Sequence, residues 1–412
     1  FAGLLLAGTA MVWAEDFVTR QDNHFIAEGR PFYYAGANNF YLSYFHQDNN
    51  YRPMIDEVMN EAHAMGLTVM RTWAFNDGGA NGDGYPTSWA LQTSPGNYNE
   101  NAFVGLDYVL FKAQSLGMRV SLTLVNNWDA YGGLNWYNSF SPTATSHDDF
   151  YTDPATRQWY KDHVTAVLNR TNTFTGEAYK NDPTIFAWEL GNELRAESDP
   201  SGDKLYNWLS EMSAFVKSQD PNHMVTTGLE GFYSNRGPQW FNSGFTGTDF
   251  IRDNSLPNID FATLHLYPEF WSWDLNQTLA WLQQHIQEAD TLLDKPLVLD
   301  EFGKMLPLAD RNAWFQAYYD ILLAAASQGQ SAAGSNFWML EANASGHNDG
   351  FGVFAPDDAS TIALISAHAA QMNALASIPE ASTLDLFMLS ALTTSIWGLK
   401  KKIKHAEASP KP

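Results

Sequence analysis

The stretch TIFAWELGNELR, residues 184–195, is an apolar run that ends on two glutamates, Glu189 and Glu193, with Gly191 and Asn192 between them. The stretch KPLVLDEFGK, residues 295–304, repeats the design: an apolar run, then Asp300 and Glu301, then Phe302 and Gly303. A short apolar run suits a strand buried on both faces, and a carboxylate where it gives out suits the strand's solvent end. Six more such runs stand at residues 31–37, 67–73, 118–125, 223–228, 260–266 and 334–340. Helical patterns lie between them, for example MIDEVMNEAHAMG, residues 54–66, which closes on the capping glycine Gly66. Eight buried strands alternating with helices predict an α/β fold, a (β/α)8 TIM barrel, whose usual size is about 250 residues plus insertions. The rival, a doubly wound open sheet, carries a Gly-rich phosphate loop after its first strand, and the chain has neither G-x-G-x-x-G nor a P-loop.

The composition narrows the chemistry. The 412 residues hold 23 Lys and Arg against 46 Asp and Glu, a net charge of −23. Such a surface repels nucleic acid and anionic membranes, so a neutral substrate is the natural partner. Cysteine is absent, which excludes disulfides and thiolate metal sites. Aromatic residues reach 14%, with 15 tryptophans, enough to pave a cleft with flat rings as well as fill a core.

The termini read as targeting segments around a single catalytic domain, residues 15–375. Residues 1–14 read as a truncated secretory signal peptide, with an apolar centre and a small-residue cleavage site ending at Ala14. In residues 376–412, Pro379-Glu380 precedes an apolar stretch, residues 384–399, and the basic KKKIK at 400–404. That arrangement resembles a PEP-CTERM sorting tail, with Ala381 where the motif has proline; a simple membrane anchor is the alternative. The expected location is secreted or at the surface of a Gram-negative bacterium.

The two carboxylates can be tested by spacing. Glu193 and Glu301 are 108 residues apart, and a barrel repeat averages roughly 31 residues, so both fall at the same rim, after the fourth and seventh strands. Two carboxyls across one mouth are what glycoside hydrolysis needs, one protonated to release the leaving oxygen and one ionised to attack or to activate water. The acid needs a raised pKa and the nucleophile a low one.

WELGNE and LDEFG resemble the two signatures of clan A retaining glycosidases of glycoside hydrolase family 5. YYAGANNFYL (33–42), RTWAFNDG (71–78), LVNNWDAYGG (124–133), HLYPEFW (265–271) and NFWML (336–340) resemble the endo-β-1,4-mannanases of that family, in order over residues 22–340. The resemblance implies that Glu193 is the acid/base and Glu301 the nucleophile. It places Arg71 and Tyr267 beside Glu301, His265 beside the acid/base, Asn192 at the sugar 2-hydroxyl and Trp338 beneath the sugar. Glu189 is then structural. Trp73, Asn127 and Trp128 stand in the matching loops as further substrate contacts.

No cofactor and no metal is required. His147, Asp148 and Asp149 have a metal-like look, but loop polar clusters are usually solvated. DGGANGDG, residues 77–84, fails as a calcium loop because its third position is Gly79 and its twelfth Ser88. The implied activity is endo-cleavage of β-1,4-mannosidic bonds in mannan, glucomannan or galactomannan by a monomer. A β-1,4-glucanase on the same scaffold is the near alternative, and a carbohydrate-binding protein without catalysis the distant one.

Overall fold

The computed structural model describes residues 16–78, 86–347 and 349–376. Residues 1–14 and the tail beyond residue 376 therefore lie outside the described residues. The parallel sheet comprises β1 (Tyr34–Asn38), β2 (Val69–Trp73), β3 (Arg119–Thr123), β4 (Ile185–Glu189), β5 (Met224–Thr226), β6 (Ala262–Leu266), β7 (Leu297–Phe302) and β8 (Ala332–Phe337). Hydrogen bonds run from β5 through β4, β3, β2, β1, β8 and β7 to β6. A parallel bridge between Thr226 and Phe261 joins the two ends, so the sheet closes into a barrel. Every residue of these strands is buried, as runs without polar alternation require.

A principal helix follows each strand, in three cases after a shorter α-helix: α1 (Arg52–Ala64), α2 (Glu100–Ser115), α3 (Pro154–Leu168), α4 (Asp203–Gln219), α5 (Phe250–Asn254), α6 (Leu275–Glu288), α7 (Leu308–Ser327) and α8 (Ala359–Leu375). α1 buries Ile55, Val58, Met59 and Ala62, the spacing of one helical face turned to the sheet. Its start and end fall two residues before those of the predicted pattern. α3 begins on Asp153, whose carboxylate accepts from the backbone N–H of Ala155 at 2.8 Å and Thr156 at 3.1 Å, with Pro154 in the first turn.

The sequence pattern placed Pro31 and Phe32 in the first barrel strand, and the structure corrects this. Arg30–Phe32 pairs antiparallel with His24–Ala27, which pairs in turn with Thr19–Gln21. Phe25 of this small sheet lies edge-on to Phe186 and Phe261, with centroids at 5.1 and 5.2 Å, and plugs the N-terminal end of the barrel. The predicted eighth run also divides: Leu340–Glu341 leaves the barrel to pair with Val353–Phe354. Among the described residues no helix is long and apolar enough to cross a membrane.

Candidate active site

The polypeptide delivers Glu193 through a tight turn. After β4, the backbone N–H of Asn192 bonds to Val125 O at 2.7 Å and that of Glu193 to Gly228 O at 2.9 Å. Glu193 is held at φ 55°, a left-handed conformation that a non-glycine residue adopts only when its surroundings impose it. Gly228 permits the approach: at φ 73°, a Cβ there would meet Gly191 O at 2.1 Å and Glu189 Oε1 at 2.2 Å.

Glu301 arrives by a β-bulge. Leu264 pairs with Leu299 but His265 pairs with Glu301, and from Leu299 to Phe302 β7 has one residue more than β8 between Ser335 and Phe337. The additional residue lets Asp300 and Glu301 both approach Arg71 in the barrel interior, as bulges beside active sites re-aim side chains.

Arg71 is the hub. Its guanidinium donates to Glu189 through Nε (2.7 Å) and Nη2 (2.5 Å), to Glu301 Oε1 through Nη1 (2.5 Å), and to Asn38 and Asn192 at 2.9 Å each. Glu189 also accepts from Thr123 at 3.0 Å and is fully buried, so it holds the arginine rather than facing the cleft. This buried fork is the charge-assisted, bidentate kind.

The two carboxylates meet at a histidine. His265 Nδ1 stands 2.8 Å from Glu193 Oε1 and 3.8 Å from Glu301 Oε2. Trp128 donates its indole N–H to Glu193 Oε2 at 2.6 Å, and Tyr267 its hydroxyl to Glu301 Oε2 at 2.8 Å. Facing oxygens of Glu193 and Glu301 come within 4.8 Å of each other.

The charge balance departs from the sequence expectation of a raised Glu193 and a lowered Glu301. Burial pushes both carboxyls up, but the hydrogen bond and charge of His265, helped by Arg195 and Trp128, carry Glu193 down to about 2. Glu301 stays raised because its burial outweighs the more distant His265 and Arg71, with Glu193 adding repulsion. His265 resists its own burial and rises to about 9, since it stands between two carboxylates. One proton thus lies on the His265–Glu193 hydrogen bond. Arg71 does pull Glu301 down, as expected, but it does not overcome that residue's burial, and the histidine holds Glu193 the more firmly.

These groups open into a cleft of about 490 Å³, lined on its walls by Trp73, Trp128, Trp271, Trp338, Phe270 and Phe351, with Glu193, Glu301, Asn192 and Tyr267 at its floor. Trp338 stacks parallel to Phe40, with centroids 5.9 Å apart, and donates its indole N–H to Asp349 at 2.6 Å. Trp73 is nearly buried and packs on Phe75 and Phe40, so it offers the cleft an edge. Asn127 is brought elsewhere. Its side-chain oxygen accepts from Arg195 N at 3.0 Å, and it lines an adjoining hollow of about 370 Å³ beyond Trp128. Trp273 packs against Trp281 and Phe241 rather than the cleft.

The donor atoms of Glu193, His265 and Glu301 cluster within 4.8 Å, but Nδ1 is already hydrogen-bonded to Glu193, so the three read as a hydrogen-bonded acid pair beside a nucleophile rather than as a metal-ligand set. His147 has both ring nitrogens engaged, with Asp148 at 2.7 Å and Asn127 O at 3.0 Å, while Asp149 caps its own short helix. Residues 79–84 of the calcium-like loop lie outside the described residues.

Three charged cleft residues escaped the sequence reading. Glu230, two residues beyond Gly228, forks onto Arg195 at 2.7 Å on both oxygens, and burial with the Glu193 charge raises it to about 7. The rule that found Glu193, a carboxylate past a strand end, would have found it. Arg195 sits in the opening stretch itself, and its guanidinium lies 5.0 Å from the Trp128 ring centroid. Asp349, well past the last barrel strand, carried no signal.

A closed (β/α)8 barrel with two carboxylates at the C-terminal rim of an aromatic cleft has the architecture of a barrel glycosidase. Residues 15–351 match the family model of glycoside hydrolase family 5, β-mannosidase-like. Mannan endo-1,4-β-mannosidase 7 of Arabidopsis thaliana is 41% identical over 378 residues, 87% of this chain and 86% of that one. Mannan endo-1,4-β-mannosidase 1 of rice (Oryza sativa subsp. japonica) is 40% identical over 380 residues, 87% and 86% of the two chains. Among solved structures, the endo-1,4-β-mannanase of Rhizomucor miehei superposes with a TM-score of 0.76 at 32% identity, covering 88% of this chain and all of that one. The endo-β-1,4-mannanase of Thermotoga petrophila gives 0.73 at 34%, covering 83% and 77%. The chain belongs to the β-mannosidase-like group of glycoside hydrolase family 5.

Proposed function

We propose that the protein is an endo-acting, retaining hydrolase of internal β-1,4-mannosidic bonds in mannan, glucomannan or galactomannan. The observation that carries the mechanism is the approach of Glu193 and Glu301 to within 4.8 Å. Retaining enzymes hold their carboxyls about 5–5.5 Å apart, whereas inverting ones leave roughly 6.5–9.5 Å for a water.

Glu301 attacks the anomeric carbon and forms a glycosyl ester as the C–O bond to the leaving sugar breaks. Glu193 gives that oxygen a proton drawn from its hydrogen bond with His265. Glu193 then takes a proton from water, whose oxygen displaces Glu301 and restores the β-configuration. Arg71 and Tyr267 fix the nucleophile's two oxygens, and Trp338 supports the sugar ring. Asn192, held by Arg71 and lining the cleft, is assigned to the sugar 2-hydroxyl. The relatives' activity on mannan supports the choice of mannose over glucose.

Release of reducing ends from unbranched mannan, glucomannan and carboxymethyl-cellulose tests the substrate. Strong release from both mannans and little from cellulose is expected; a preference for cellulose would move the reading to a glucanase. Glu193→Gln and Glu301→Gln should each lower mannan hydrolysis by about 10²–10⁴. Losses under tenfold would reassign the roles, and silence of the wild type on every polymer would point to a binding protein. The monomeric state is tested by light scattering.

Export and surface sorting are part of the same proposal, supported by the apolar residues 1–14 and by residues 384–399 ahead of their basic end. Deletion of residues 376–412 should release the protein from the cell surface. Unchanged attachment would remove that role.

A further inference from the structure

The five N–H groups of Arg71 are all engaged: Nε and one Nη2 proton with Glu189, the other Nη2 proton with Asn192, and the two Nη1 protons with Asn38 and Glu301. Asp300 Oδ2 lies 3.1 Å from Nε, within ion-pair range, yet receives no hydrogen bond. Its other oxygen accepts only from Asn336 Nδ2 at 2.8 Å, and its backbone carbonyl from Asn38 at 2.9 Å. The side chain is buried, with Tyr34 from β1, Glu189 from β4, His265 from β6 and Asn336 from β8 as the remaining polar or titratable groups around it. Three carboxylates therefore surround one guanidinium that has hydrogen bonds for two. A charged oxygen in that position is desolvated and unsatisfied, whereas a carboxylic acid is tolerated.

We propose that Asp300 is a positioning residue for the nucleophile: it stays a neutral acid while the enzyme works, leaving Arg71 Nη1 to Glu301, and on ionising it draws the guanidinium away. Burial, reinforced by Glu189 against the pull of Arg71, raises the Asp300 carboxyl to about 7, so the change falls in an accessible range. The inference rests on Glu301 being the nucleophile. It adds a third carboxyl, delivered by the same bulge, that controls how firmly the second is held.

The test isolates the step that Glu301 performs. The probe is an aryl β-mannobioside whose strongly acidic phenol leaves without a proton from Glu193, and the readout is the pre-steady-state burst of phenol between pH 5 and 9. In the wild type the burst rate should fall above pH 7. The ratio of Asp300→Asn to wild type should be flat from pH 5 to 6.5 and rise about fivefold by pH 8.5, as one charge-assisted contact is preserved in the variant only. Asp300→Ser, also neutral, replaces the variant if Asp300→Asn does not fold. A wild-type burst rate level up to pH 9, or a ratio flat throughout, overturns the proposal, and the first of these needs no variant. Glu301→Gln run alongside separates the two claims: a surviving burst there removes the nucleophile assignment itself, whereas its loss with a flat Asp300→Asn ratio removes only the role of Asp300.

Discussion

His265 Nδ1 is hydrogen-bonded to Glu193 Oε1 at 2.8 Å, and the proton between them is the one an acid catalyst would deliver. Two carboxylates hold it on the imidazole up to about pH 9. Without the imidazole, Glu193 must keep it alone: burial and the charge of Glu301 raise that carboxyl, but a carboxyl starts from a far lower value than the imidazole and gives up the proton sooner as pH rises. His265→Asn should therefore move the alkaline limb of kcat/KM on mannan to lower pH, by more than one unit. The limb reports the free enzyme's acid. A limb that stays in place would show that the histidine only orients Glu193.

The Arg71–Glu189 fork is the structural support for the site. Removing one partner of a buried, bidentate pair leaves the other charge without its hydrogen bonds, at about 3–5 kcal/mol. Glu189→Gln should lower the urea midpoint accordingly, and activity should fall with it because Arg71 also carries Glu301. A midpoint within about 1 kcal/mol of wild type would mean that Asn38, Asn192 and Glu301 hold the guanidinium unaided.

How much of this was legible in the sequence depends on which groups announce themselves. The strands did, because runs buried on both faces lack polar alternation, and so did Glu193 and Glu301, which terminate them. Arg71 was placed beside Glu301, but the fact that it ties three carboxylates together depends on the bulge in β7. A bulge leaves no mark on a local pattern, since Asp300 and Glu301 read as neighbours on opposite faces of a regular strand. The charge balance between the acid and the nucleophile was not legible for a related reason: the His265 distances to each, 2.8 and 3.8 Å, are set by tertiary packing. The N-terminal plug was missed because Pro31 and Phe32 continue the apolar run of β1 and nothing in composition marks where the chain turns.

Asp349 offers a test of the sugar platform. It accepts the Trp338 indole N–H at 2.6 Å and lines the cleft beside it. Asp349→Ala leaves the ring free to tilt, and a hydrogen bond to a charged group is worth about 1.5–3 kcal/mol. On short manno-oligosaccharides KM should rise about tenfold or more while kcat changes less, the pattern of binding lost equally in ground and transition states. If kcat carried the whole loss and KM none, the aspartate would act on the reacting ring and not on the platform.

Stability should depend on pH in a direction set by buried acids. Burial raises Asp77 and Asp300 to about 7 and Asp253 to about 8, and burial with the Glu193 charge raises Glu230 to about 7. Each folded carboxyl binds its proton more tightly than the unfolded chain does. The stability this contributes is full below the unfolded value near 4 and is lost as pH rises through the folded one. His163 and His285, lowered by burial to about 4, and His368, lowered to about 3, act oppositely, but only below about pH 6.5, where their unfolded forms take up protons. Between about pH 6.5 and 8 the acids act without that opposition, and His265, raised to about 9, adds to them. Tm should fall steadily across that interval, and Asp253→Asn should flatten the upper part of the fall because its carboxyl is the last of the four to ionise. A Tm that held level from pH 6.5 to 8 would mean that these carboxyls are already ionised in the folded protein, and would count equally against a neutral Asp300.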